Sequence, residues 1–79
     1  MLNFIDQYDI IDSEGNIIVS CGRPEHLKVK FDEIKSQGIN VNYPCKAVSR
    51  NYGIDMEITE EITTKDWRDF NYRCAMAKD

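Results

Sequence analysis

The chain has 79 residues, 42% of them apolar and 10% aromatic, with fourteen acidic side chains against ten basic ones and a net charge of −4. This length allows one small domain with a core only just sufficient to hold it, and the composition is that of a globular chain and argues against disorder. A negative balance works against wrapping nucleic acid, because affinity for phosphates comes mainly from Lys and Arg displacing counterions.

Residues 2–11, LNFIDQYDII, place Leu2, Phe4, Tyr8 and Ile10 at even spacing. That period of two predicts a first strand. The next stretch, DSEGN at 12–16, is dense in turn formers, and Gly15 can take the positive φ of a hairpin loop. Ile17, Val19 and Cys21 then alternate with Ile18 and Ser20 in a second strand. The short loop makes the pair antiparallel.

Pro24 suits the first position of a helix, Leu27, Phe31 and Ile34 form one apolar stripe, and Gly38 is a left-handed stop. From Ile39 to Ala47 the alternation returns, but Pro44 cannot donate to a ladder and predicts an edge strand or a bend. SRNYG at 49–53 supplies a turn. Ile54, Met56 and Ile58 alternate with Asp55, Glu57 and Thr59 in a fourth strand, which Glu60 and Glu61 end. Thr63 or Thr64 caps a closing helix to about Lys78, with Asp66 in capping-box spacing behind Thr63 and Trp67, Phe70 and Cys74 as its stripe. The order ββαββα predicts an α+β two-layer sandwich over residues 1–79, an antiparallel sheet with both helices on one face.

Catalytic chemistry has few footholds. Cys21 lies before a helix start and His26 just inside it, so a thiolate stabilised by the helix N-terminus has a mechanism. Yet Cys21 falls in phase with Ile17 and Val19, where a small core cysteine suffices. Cys21, Cys45, Cys74 and His26 are soft ligands in number, but no C-x-x-C or H-x-x-x-H pair occurs, and all three cysteines fall on inward faces. The carboxylate pairs Glu60–Glu61 and Asp66/Asp69 belong to a solvated rim, and the four isolated glycines make no phosphate loop. We therefore expect no enzyme, no metal and no cofactor.

Surface patterning is more informative. With the even positions of the first strand and Ile17 and Val19 turned to the helices, Ile5, Ile11, Ile18 and Val48 face the other side of the sheet. Apolar residues gathered there mark association, as a homodimer or with another protein. Asp55, Glu57, Thr59 and Glu61 form a row along the fourth strand, at about 6.8 Å between alternate residues. That repeat is close to the spacing of phosphates along a nucleic-acid strand.

The expectation is a small protein-binding module, with Asp55, Glu57 and Glu61 entering the basic groove of a nucleic-acid-processing enzyme. No apolar run is long enough for a membrane, no secretory signal opens the chain, and the odd cysteine count suits a reducing cytoplasm. The Ile- and Asn-rich, Ala-poor usage fits an AT-rich microbial or phage genome, and with it an inhibitor or modulator of a host enzyme. The alternatives are a direct RNA or DNA binder, using Lys28, Lys30 and Lys35 with Tyr43 and Tyr52 as stacking surfaces, and a thiol enzyme resting on Cys21.

Overall fold

Two hairpins and two helices alternate in the computed structural model, which describes residues 6–78. The elements are β1 (Tyr8–Ile11), β2 (Ile17–Cys21), α1 (Glu25–Ser36), β3 (Cys45–Ser49), β4 (Ile54–Ile58) and α2 (Thr64–Lys78). They form one sheet of order β2-β1-β3-β4 in which every neighbouring pair is antiparallel. β2 and β3 therefore run parallel, and α1 joins them across the helix side while β1 fills the gap. This is the α+β arrangement that the order of elements predicts. Leu2, Phe4 and Ile5, the start of the expected first strand, lie outside the described residues.

Local chemistry explains most of the boundaries. The first hairpin loop is organised by Asp12, whose carboxylate accepts the backbone N–H groups of Glu14 at 3.0 Å and Asn16 at 2.8 Å. Gly15 takes φ +87°, which a side chain would resist. At the end of α1, Gly38 N–H donates to Lys35 O and Ile39 N–H to Ile34 O, the two bonds of a Schellman stop. α2 opens with a reciprocal box: Asp66 N–H donates to Thr63 Oγ1 at 3.2 Å, and Thr63 N–H to Asp66 Oδ2 at 3.0 Å. The spacing of those two residues predicts that box. Pro24 stands one position earlier than expected, as the residue before α1 rather than its first.

The core lies between the helices and one face of the sheet. Tyr8, Ile10, Val19, Cys45, Ala47 and Ile58 come from the strands, and Leu27, Phe31, Trp67, Phe70 and Cys74 from the helices. Phe31 is its aromatic hub, with its ring 6.3 Å from Tyr43 edge-on and 6.0 Å from Trp67. α1 packs on β2 and β1, α2 on β4, and the helices touch each other.

Two expectations are corrected by the pairing. The third strand is not at an edge: β3 starts after Pro44 and sits between β1 and β4, so the proline costs the ladder nothing. Residues 39–44 carry alternating apolar side chains without pairing, and Val41 and Tyr43 pack against the core from a loop. The second correction concerns Ile18. Ile10 pairs with Val19 and Ile11 with Ile17, leaving Ile18 as the extra residue of a β-bulge. One inserted residue reverses the phase beyond it. Ile18 thus packs against the core, lining a small cleft with Ile34, Ile39 and Val41, while Ile17 is turned outward and 52% exposed.

Candidate functional site

Both helices cover the same side of the sheet, which leaves the other side with no helix over it. Two rows of side chains cross it. Register places Ser20, Asp9, Val48 and Asp55 in one, and Ile17, Ile11, Lys46 and Glu57 in the other, each reading from β2 to β4. The first row contains a surprise for the outward face of a sheet: Asp9 is fully buried.

Its carboxylate is held from three directions. Ser20 Oγ donates to Asp9 Oδ1 at 2.8 Å, Gln7 Nε2 to the same oxygen at 3.4 Å, and Arg50 Nε to Oδ2. Arg50, half exposed, closes over the acid from the second hairpin turn, and its backbone N–H donates to Gln7 O at 3.0 Å. Gln7 also donates to Ser20 Oγ at 3.0 Å. A buried carboxylate is tolerated only with such compensation, and the network clamps the centre of the sheet to the turn at 50–53. Sequence reading misses it: Asp9, alternating between Tyr8 and Ile10, looks like a solvated position, and nothing local links it to Arg50.

Of the residues expected to form the apolar patch, Ile11 and Val48 lie on the uncovered face and are half-buried, Ile18 has left it, and Ile5 is outside the described residues. Ile17 takes the place of Ile18, directly opposite Ile11. Asp55 and Glu57 stand exposed at the β4 edge of the same face. Glu61 does not join them. The strand ends at Ile58, and Glu61 follows a turn in which its N–H donates to Thr59 Oγ1 at 3.2 Å. The acidic row is therefore two residues long, and Lys46 sits opposite Glu57.

Several of the other expected groups have partners of their own. Cys21 donates its thiol hydrogen to Arg23 O, and burial pushes the thiol pKa up, opposite to what a helix start does to an activated thiolate. Burial raises the thiols of Cys45 and Cys74 as well. On α1, Lys28 and Lys35 both pair with Asp32, at 2.8 and 3.7 Å. Tyr43 packs edge-on against Phe31, and Tyr52 gives its hydroxyl to Asp6. Tyr43 is thereby part of the aromatic packing around Phe31 and not a free stacking platform. Among the described residues no three of His, Cys, Asp and Glu gather to hold a metal ion, and no helix is long and apolar enough to cross a membrane.

Fold and surface together define a small α+β domain with an uncovered sheet face of mixed apolar and charged character. Comparison of the chain with protein-family models, with curated proteins and with solved structures finds no match.

Proposed function

We propose that this chain is a non-enzymatic binding module that docks on another protein through the uncovered face of its sheet. The observation that supports this reading is the row Ile17–Ile11–Lys46–Glu57, in which two isoleucines sit side by side with no helix over them. Ile11, Ile17 and Val48 form the apolar part of that face, and Asp55 and Glu57 the acidic rim that selects a basic surface. A nucleic-acid-binding groove on a processing enzyme is the partner surface of that kind, and occupying it makes the module an inhibitor or modulator. A cytoplasmic setting, in a microbial or phage context, agrees with the composition.

The reading is tested by affinity capture from the source cell with the native chain and with the double variant Asp55→Lys, Glu57→Lys. The native chain is expected to recover a basic nucleic-acid-processing protein that added DNA displaces, and the variant to lose it. Equal recovery by both, or a captured protein that DNA fails to displace, overturns the acidic-rim reading.

Self-association through the same face is the second reading, favoured by Ile17 at 52% exposure beside Ile11. Sedimentation at micromolar concentration separates the two: a homodimer dissociated by Ile17→Ser supports it, and a strict monomer removes it.

A further inference from the structure

The two halves of α2 are held in different ways. The first half opens with the Thr63–Asp66 box and drives Trp67 and Phe70 into the core, with Trp67 against Phe31. Beyond Phe70, Cys74 alone among the described residues of α2 is buried, and residues 75–78 are all exposed. Polar contacts hold this second half. Arg73 Nη1 donates to Asp55 O at 3.1 Å, and the Lys78 ammonium lies 2.6 Å from Asp6 Oδ2. Both cations are exposed, where contacts of this kind contribute little.

The floor beneath is polar and unmatched. The Tyr8 hydroxyl and Asn71 Oδ1 are sealed from solvent without a hydrogen-bond partner among the described residues. So is Oγ of Ser49, which stands opposite Tyr8 in the β1–β3 register. Tyr8, Asn71, Cys74 and Lys78 line one cleft, which places the tyrosine under this half of the helix. Buried polar atoms are nearly always paired, because an unpaired one gives up its water for nothing in return. Lifting the helix end wets these atoms and recovers that loss.

We propose that the second half of α2, from Asn71 to Lys78, is a strap that opens as a unit while Trp67 and Phe70 stay seated. Opening uncovers the Cys74 thiol and the Tyr8 hydroxyl, and the Lys78–Asp6 pair sets how often it happens. The event is one of the local openings that lie below complete unfolding in free energy. The sheet face takes no part in it.

Two buried cysteines report on the strap. Cys45, 2% exposed, belongs to the inner strand β3, whereas Cys74, 0% exposed, rides on the strap itself. Iodoacetamide reaches a buried thiol only in an opened form, so alkylation of the full native chain, followed peptide by peptide, measures each opening. Cys74 is expected to react about tenfold faster than Cys45, or more. Lys78→Ala is expected to speed Cys74 about threefold and to leave Cys45 unchanged. Tyr8→Phe, which keeps the ring and removes an unpaired hydroxyl, is expected to slow Cys74 relative to Cys45. Equal rates at the two thiols mean that both wait for complete unfolding, and overturn the proposal. A Lys78→Ala effect of the same size on both overturns it too. So does Tyr8→Phe speeding Cys74 alone, which marks the hydroxyl as satisfied by an internal water.

Discussion

The two faces of the sheet use the same strands to opposite ends. Toward the helices, Tyr8, Ile10, Val19, Ala47 and Ile58 present continuous apolar surface, and stability there comes from excluding water. Away from them the centre of the sheet holds Asp9, as thoroughly buried as Tyr8 and Ile10 on either side of it, and stability there depends on three donors being in place. The contrast teaches that burial alone does not identify a core: one buried layer is sealed by packing and the other by a hydrogen-bonded lid.

Substitution can break this comparison at either layer. The largest expected effect is on the helix side. Phe70→Ala empties a fully buried position and is expected to lower unfolding free energy by about 3–5 kcal/mol in urea titration. On the other face, Arg50→Ala removes the lid and leaves Asp9 with its two neutral donors. The expected loss is roughly 2 kcal/mol, with Asp9→Asn partly restoring the variant by removing the uncompensated charge. Equal stability of Arg50→Ala and the native chain would mean that water replaces the guanidinium without penalty. Thr63→Ala opens the capping box of α2 and is expected to cost about 1 kcal/mol. Ile17→Ser sits at the outer rim of the uncovered face, so a change within about 0.5 kcal/mol is expected, alongside lost association.

Acid sharpens the picture in another way. The Asp6 carboxyl is held below its ordinary pKa chiefly by the Lys78 hydrogen bond, that of Asp12 by the Asn16 N–H, and that of Asp66 by the Thr63 N–H. Because these values are depressed in the folded chain, their contribution is present above the unfolded pKa and is lost as pH falls through the folded ones. A thermal midpoint level down to about pH 5 and falling below about pH 4 is expected, with a shallower fall in Asp12→Asn. A midpoint indifferent to pH between these limits and pH 2 would show the three carboxylates to be equally well solvated when unfolded.

What the sequence made legible follows from how far its signals reach. The hairpin at Gly15, the Schellman stop at Gly38 and the Thr63–Asp66 box are written within a few residues, and so were the element types and their order. The position of β3 was not legible, since Pro44 speaks only for its own missing N–H, and the strand begins one residue later. Ile18 was misplaced because a bulge is a property of the pairing with Ile10 and Ile11 and leaves no mark on an alternating string. Asp9 and Arg50 are brought together by the β1–β3 pairing. Of the expected surface, Ile11, Val48, Asp55 and Glu57 fall on the uncovered face, while Glu61 is carried past it by a turn at Thr59.

The extra residue at Ile18 also bears on how copies of this chain meet. It distorts β2, one of the two rims of the sheet, at the point where a neighbouring backbone would otherwise find a regular template to extend, and β4 guards the opposite rim with Asp55 and Glu57. Growth of an open-ended fibril by strand addition is thereby discouraged on both flanks.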